Sequence, residues 1–339
     1  MSVTIRQVAE AAGVSISTVS QVLRGNHASY LPETRARVLA AAEQVGYRPN
    51  ASARFMQTGR FHIIGLLHAI DHPSGSLPMA IIDGAAAVFE QHGYHLLLIR
   101  LERQRLVSGP PPAALAERMT DGFLVTLHLD VLPAEEEAIA RLGQPAVWLN
   151  RKLATDAAHP DDLAAGRRCA EELLAAGHRR IAIADINYGA HPERHHYSPV
   201  DRRAGAIAAL RAAGVSPTEW VTEEWLEYAE RQAWARALLS ATDRPSAVIT
   251  VNNATAGALL ATAQELGIRV PQDLSLITIN GEPFTTAGLP MATVLVPQTT
   301  LGHDAAELLL ARMASEVALP SVAVPPGWFP GLSIAAPRS

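Results

Sequence analysis

The sequence predicts two parts: a short all-α headpiece of helix-turn-helix form, and a large α/β body of two lobes with parallel sheets. At 339 residues the chain is long enough for two or three domains. Two short helical patterns separated by a glycine turn open the chain. After residue 61, short apolar runs alternate with longer helical patterns in two successive series. Such alternation is typical of parallel sheets with right-handed crossovers, and two series favour two lobes.

The first helix has a clear start and a clear end. Thr4 and Gln7 have the spacing of a capping box, in which the Gln7 side chain bonds back to the start of the helix. Gly13 ends the helix, which has one narrow apolar stripe formed by Ile5, Val8, Ala9 and Ala12.

The second helix is predicted to begin at Ser15, with Val19, Val22 and Leu23 facing inward. Its outer face then consists of short or polar side chains, namely Ile16, Ser17, Ser20, Gln21 and Arg24. A face of this kind is able to enter the major groove of DNA. The alternative is an ordinary helical hairpin with a solvated face, which periodicity alone does not exclude.

A third helix follows, with Pro32 at its first position and Gly46 as its stop. Its predicted inner stripe is Val38, Leu39, Ala42 and Val45. Asn50 is able to cap one further short helix before Gly59, too short to be stable in isolation. This segment is either a linker that packs on the body or a hinge helix that folds on DNA.

Charge is distributed unevenly along the chain. Residues 1–60 carry seven arginines and three glutamates, whereas the whole chain has a net charge of −5. A basic end on an acidic body is expected when only that end meets a polyanion. The start of the chain lacks the apolar segment of a signal peptide, no apolar run is long enough to cross a membrane, and only one cysteine is present. We therefore expect a cytoplasmic, nucleoid-associated protein.

The headpiece resembles the lactose-repressor (LacI/GalR) family of transcriptional regulators. The resemblance rests on three runs in matching order: residues 4–20, Glu33-Thr34-Arg35, and Gly46-Tyr47-Arg48-Pro49-Asn50. It implies that Ile16, Ser17 and Gln21 read bases and that Met56 wedges into the minor groove. Gln21 stands where arginine is common, and Ser52 stands where valine is usual. The full DNA-binding set that we predict is Thr4, Ser15, Ile16, Ser17, Thr18, Ser20, Gln21, Arg24, Thr34, Tyr47, Asn50, Ser52, Ala53 and Met56.

The body resembles the periplasmic-binding-protein-like domain of the same family. We expect a headpiece at 1–49, a hinge helix and linker at 50–60, and an effector-binding and dimerisation domain at 61–339. The resemblance implies chain crossings near residues 160, 293 and 322, so that lobe 1 is about 61–160 and 294–322, and lobe 2 is about 161–293 and 323–339. Ligands of open α/β sheets bind at the carboxyl ends of the strands, here in the cleft between the lobes.

Six residues are predicted to bind the effector. By resemblance, Arg202 holds ligand hydroxyls or carboxylates, Trp225 stacks on a sugar ring, and Asn252 and Asn280 stand at family ligand positions. Asn280 replaces the usual aspartate, which leaves a polar ligand expected but an ordinary hexose less so. Ser74 and Ser76 either contact the ligand or are ordinary loop residues. The alternative role for Arg202 is an ion pair, and the alternative for Trp225 is packing in the core.

The remaining sequence features argue against catalysis. No phosphate loop, cysteine-pair metal site or nucleophile elbow is present, so we expect no enzyme and no cofactor. His191, Glu193, His195 and His196 raise a metal hypothesis, but solvated loop histidines are commoner. One alternative is a transport-type sugar-binding protein, which the headpiece and the missing signal sequence oppose. The other is a two-lobed enzyme such as a sugar kinase, which the absence of a nucleotide motif opposes. The predicted function is a homodimeric repressor that grips an inverted-repeat operator under control of a small polar ligand, a sugar or related metabolite.

Overall fold

The computed structural model describes residues 3–23, 29–48, 59–69, 77–109, 113–127, 133–186, 196–222 and 226–338. The chain divides into two compact units, Met1–Phe61 and His62–Ser339. Each unit has its own hydrophobic core. No helix within the described ranges is both long and apolar enough to cross a membrane.

The headpiece contains three helices, α1 (Ile5–Ala12), α2 (Ile16–Leu23) and α3 (Pro32–Gln44). The backbone N–H of Thr4 donates to Gln7 Oε1 at 2.8 Å, which is the glutamine half of the predicted capping box. Gly13 ends α1 with a φ of 62°, in the left-handed region that glycine adopts without strain. The predicted start and stop of the first helix are therefore confirmed, and the second helix begins directly after Ser15, as predicted.

The predicted inner stripe of α3 was wrong at one position. Leu39 is 49% exposed, whereas Ala41 is 5% exposed and lies in the core. Val38, Ala41, Ala42 and Val45 follow the i, i+3, i+4, i+7 spacing of one helix face. Leu39 lies about 100° around the helix from Val38, which turns it away from α1 and α2.

The first lobe of the body is built on a parallel sheet of six strands. These are β1 (Ile63–Ala69), β2 (His95–Leu101), β3 (Gly122–Leu127), β4 (Ala146–Leu149), β5 (Ala157–Pro160) and β13 (Val322–Val324), in the order β13-β5-β4-β3-β1-β2. Its helices are α4 (Met79–Gln91), α5 (Arg103–Ser108), α6 (Ala113–Ala116), α7 (Pro133–Ala140) and α12 (Gln298–Met313).

The second lobe repeats this plan. Its strands are β6 (Ile181–Asp185), β7 (Thr218–Val221), β8 (Ala247–Thr250), β9 (Ser275–Asn280), β12 (Ala292–Leu295) and β14 (Gly327–Phe329), in the order β14-β12-β9-β8-β6-β7. Only β14 is antiparallel to its neighbour. The helices are α8 (Asp162–Ala175), α9 (Tyr197–Ala212), α10 (Tyr228–Leu239) and α11 (Asn253–Glu265), and a small hairpin joins β10 (Thr285–Thr286) to β11 (Leu289–Pro290).

The chain passes between the lobes three times, after β5, after β12 and after β13. The last two passages come a few residues later than expected. Residue 293 lies inside β12 and residue 322 begins β13, and each strand continues to the edge of its own sheet before the chain leaves it.

Glycines set the closest helix contacts in both lobes. A Cβ atom at Gly166 of α8 would overlap the carbonyl oxygen of Arg202 in α9, and one at Gly205 of α9 would overlap the carbonyl oxygen of Leu163 in α8. Gly84 and Gly302 make the corresponding contacts between α4 and α12 in the first lobe. Each helix pair is therefore in direct backbone contact, and in the second lobe this contact fixes the position of Arg202.

Candidate functional site

The start of α2 presents the predicted reading face of the headpiece. Ser15 caps the helix, because its Oγ accepts the backbone N–H of Thr18 at 3.0 Å. Ile16 is 43% exposed and Ser17 is exposed as well. Thr18, Ser20 and Gln21 are half-buried along the same helix, whose inner side is held by Val19 and Val22. The face thus combines one apolar and several short polar side chains on a capped helix.

The other predicted DNA-binding residues of the described ranges lie at helix ends. Thr4 is exposed before α1, Thr34 is half-buried in the first turn of α3, and Tyr47 packs against the headpiece core. The remaining members of the set lie outside the described residues: Arg24, Asn50, Ser52, Ala53 and Met56.

In the body, Arg202 lies at the centre of a polar cluster at the carboxyl edge of the second sheet. Its Nε donates to Asp162 Oδ1 at 2.7 Å, and its Nη1 donates to the carbonyl oxygen of Val251 at 2.9 Å. The ion pair expected as the alternative role is therefore present, and it lies within the second lobe. Within the described part of the chain Nη2 makes no hydrogen bond, so the N–H groups of this nitrogen are left for a ligand.

Two carboxylates of this cluster were missed by sequence reasoning. Asp162 and Asp185 are 1% and 0% exposed, and the Oδ2 atom of each has no hydrogen-bond partner among the described residues. Burial raises the pKa of Asp185 to about 7, against the opposing effect of Arg203 and Arg202. The signal for Asp185 was an acid directly after the apolar run 181–184, at the carboxyl end of a strand.

Asn252 and Asn280 follow the neighbouring strands at the same edge. Asn252 caps α11, since its Oδ1 accepts the Thr255 N–H at 2.9 Å, and its Nδ2 lies 3.5 Å from Asp185 Oδ1. Its amide is thus engaged within the lobe. Asn280 donates from Nδ2 to the carbonyl oxygen of Glu282 at 3.0 Å and is half-buried.

Several predicted residues of the body lie outside the described residues. They are Ser74, Ser76 and Trp225 of the effector set, and His191, Glu193 and His195 of the metal hypothesis. Across the described ranges, no group of three or more His, Cys, Asp or Glu side chains is arranged to hold a metal ion. Cys169 is fully buried, and burial raises the pKa of its thiol.

A set of contacts joins the two lobes beside this cluster. His196 caps α9 through Nδ1, which accepts the Ser198 N–H, so Nε2 carries the proton and donates to the carbonyl oxygen of Asn150 at 2.8 Å. Lys152 Nζ donates to Asp201 at 2.6 Å. The donors and acceptors come from the chain after β4 in the first lobe and from the start of α9 in the second. The sequence analysis placed His196 only in the metal hypothesis, and the structure instead engages both of its ring nitrogens in hydrogen bonds. No role had been predicted for Asn150, Lys152 or Asp201.

A half-buried tyrosine lies between these interlobe contacts and the polar cluster around Arg202. Tyr197 lies at the start of α9, and its hydroxyl is 3.4 Å from Asn150 Oδ1. Burial raises the pKa of this hydroxyl, with Asp162 adding to the rise. The phenol is therefore neutral and keeps its proton as a hydrogen-bond donor beside the lobe boundary.

The chain matches two family models. Residues 4–50 match the bacterial regulatory proteins of the lacI family, and residues 170–334 match a periplasmic binding protein-like domain. Among curated proteins, it is 30% identical over 335 residues to the HTH-type transcriptional repressor PurR of Edwardsiella ictaluri, covering 92% of this chain and 91% of that one. The PurR repressor of Photobacterium profundum is 28% identical over 319 residues, with 91% and 92% covered.

Solved structures share the fold over the whole length. The lac repressor dimer bound to operator and the anti-inducer ONPF has a TM-score of 0.74 at 21% identity, covering 99% of this chain and 100% of that chain. The transcriptional regulator CelR in complex with cellobiose has a TM-score of 0.63 at 24% identity, covering 98% and 99%.

Proposed function

Because this chain belongs to the lacI family of bacterial regulatory proteins, we infer that it binds an inverted-repeat operator as a homodimer and responds to a small polar ligand held between its lobes. The family makes it a DNA-binding transcriptional repressor with an effector domain. We propose further that it acts in the cytoplasm by binding alone, without catalysis.

The polar cluster around Arg202 is the observation that supports this effector site. It offers a donor at Arg202 Nη2, a buried acceptor at Asp162 Oδ2, and a second buried carboxyl oxygen, Asp185 Oδ2, which accepts when ionised and donates when protonated. A hydroxyl group both donates and accepts, so a polyhydroxy ligand satisfies all three. The charge of Arg202 is already balanced by Asp162, which favours a neutral ligand over an anion. A sugar or related metabolite has this chemistry, and cellobiose bound to CelR is of the same class.

The contacts between the lobes give the ligand a way to act. The bonds of Asn150 with His196 and of Lys152 with Asp201 join the lobes beside the cluster. A ligand that contacts both lobes binds one degree of closure more tightly than another, and only such a difference in affinity shifts the equilibrium. We propose that closure in turn controls whether the segment 50–58 forms the hinge helix that grips DNA.

For DNA recognition, we propose that Ile16, Ser17 and Gln21 read base edges in the major groove, and that Met56 enters the minor groove. The half-exposed, capped helix α2 supports the first part of this proposal. The remaining residues of the predicted set would then contact phosphates and set the register, which makes binding salt-dependent.

The test combines a thermal-shift screen with operator binding. Sugars, polyols and related metabolites are screened for a rise in Tm, which a cleft ligand produces by mass action. The operator is obtained by selection from a randomised library, and fluorescence anisotropy then measures how each hit changes DNA affinity.

Arg202→Ala is the decisive variant, and Arg211→Ala, an exposed arginine of the same helix, is its matched control. We expect Arg202→Ala to bind operator but to lose the ligand response, while Arg211→Ala behaves as wild type. If Arg202→Ala responds at the same ligand concentration as the wild type, the effector site lies elsewhere. A screen in which no hit changes operator affinity would contradict ligand control.

A further inference from the structure

A polar cavity lies at the amino-terminal edge of the second lobe's sheet, opposite the edge that carries Arg202 and Asp185. Its volume is about 480 Å³. Residues from three segments that lead into neighbouring strands line it: His178 and Arg180 before β6, residues 241, 242 and 244–246 before β8, and residues 271–274 before β9. Residues 336–338 of the C-terminal segment line its remaining side.

The floor of this cavity is fixed by a buried histidine. His178 is 1% exposed, and its Nε2 lies 2.9 Å from the carbonyl oxygen of Ala335, so Nε2 carries the proton. Its Nδ1 faces Ser246 Oγ at 2.8 Å. Burial lowers the pKa of the imidazole, so the ring is neutral at pH 7. The histidine therefore ties the C-terminal segment to the strand starts without adding charge.

Asp273, the acid that lines the cavity, is hydrogen-bonded to two arginines. Asp273 accepts from Arg269 Nε at 2.7 Å and Nη2 at 3.0 Å, and from Arg338 Nη1 at 2.7 Å. These bonds, above all those from Arg269, hold the pKa of the carboxyl group well below its usual value. Asp273 is thus a carboxylate whose charge is already more than balanced by two guanidinium groups.

Two further arginines of the lining have no such partner. Arg180 and Arg244 make no side-chain hydrogen bond or ion pair within the described ranges. Both lie at the starts of paired strands, since the Arg180 carbonyl oxygen accepts the Ser246 N–H at 2.9 Å and Arg244 is two residues before Ser246. Both arginines therefore line the cavity, and neither forms an ion pair with a carboxylate among the residues that the structure describes.

We propose that this cavity binds a small phosphorylated metabolite, with Arg180 and Arg244 holding the phosphate. Two unbalanced guanidinium groups match the charge of a phosphate monoester, and their planar forks suit its oxygens. The volume lies within the range of small-molecule sites and exceeds the needs of a bare phosphate ion, so room remains for the organic part. The site is separate from the effector cleft and does not rest on the proposed function of that cleft.

The test is isothermal titration calorimetry on the full-length protein with glycerol 3-phosphate. Glycerol, which lacks the phosphate group, is the control ligand. The decisive variant is R180Q/R244Q. Arg211→Gln is the control for loss of an exposed arginine, and Asn280→Ala is the control for the opposite edge of the sheet. Each single variant of the pair is also measured, so that a folding defect in the double variant leaves the comparison intact.

We expect saturable binding of glycerol 3-phosphate to the wild type and none of glycerol. Loss of each arginine should weaken binding about tenfold, and loss of both roughly 100-fold. Both controls should bind as the wild type does. Absence of binding to the wild type, or equal affinity in the single and double variants, would overturn the proposal. Binding lost in Asn280→Ala but kept in R180Q/R244Q would place the phosphate in the effector cleft and overturn it as well.

Discussion

Replacing Asp185 with asparagine should change how the stability of the body depends on pH. Burial raises the pKa of this carboxyl group from 3.8 to about 7, so between these values the folded protein holds a proton that the unfolded chain has released. Its contribution to stability is therefore fully present below about pH 4 and is lost as the pH rises through about 7. Each pH unit in this window changes the free energy of unfolding by about 1.4 kcal/mol.

The measurement is urea unfolding, followed by circular dichroism, at pH 5.5 and pH 8. Relative to Asp185→Asn, the wild type should lose roughly 2 kcal/mol of unfolding free energy between these two values. Asp243→Asn, which replaces an exposed acid of the same lobe, is the matched control for loss of a surface carboxyl group. A pH-independent difference between wild type and Asp185→Asn would refute the account of a buried carboxyl group without a strong partner.

Three further predictions concern the helix contact, the reading face and the lobe boundary. Gly166→Ala should destabilise the body by roughly 3 kcal/mol in urea unfolding, because its Cβ overlaps the Arg202 carbonyl; a loss below 1 kcal/mol would contradict this contact. Gln21→Arg should shift preference at one base pair from A·T to G·C by roughly 1–3 kcal/mol in library selection, and identical selected sequences would show that Gln21 reads no base. Lys152→Ala removes an interlobe ion pair that is partly exposed, so the ligand concentration for half response should change less than about fivefold; complete loss of response would mean that the pair itself forms the switch.

The sequence predicted the strands that are continuous apolar runs. Residues 63–67, 122–126 and 247–250 are of this kind, and each lies in a buried strand with its start within a residue of the expected one. The strands β5, β7, β12, β13 and β14 were not predicted. Each is only three or four residues long, and β5 ends in proline. Such segments are strands because a neighbouring strand pairs with them, which local periodicity does not encode.

The effector site was predicted in part for a similar reason. Arg202 was predicted because an arginine three residues before a glycine matches the family pattern. In the structure Gly205 allows α9 to approach the backbone of Leu163 closely, which positions Arg202. Asp162, its partner, is 40 residues away in the sequence and was not found. Asp185 directly follows an apolar run, but its raised pKa was not predicted, because it follows from burial, which depends on the whole lobe.

The paired glycines of the two lobes limit the kind of motion that a ligand is able to produce. The carbonyl groups of Arg202 and Ile81 lie where a Cβ atom would stand on the facing helix, so each of these two helix pairs is in close backbone contact. We expect little shear between the helices of each pair. A change in shape would then be absorbed by backbone torsions at residue 161, residues 296–297 and residues 325–326, which are the three connectors between the sheets. We therefore expect each lobe to move as a rigid body when the ligand binds.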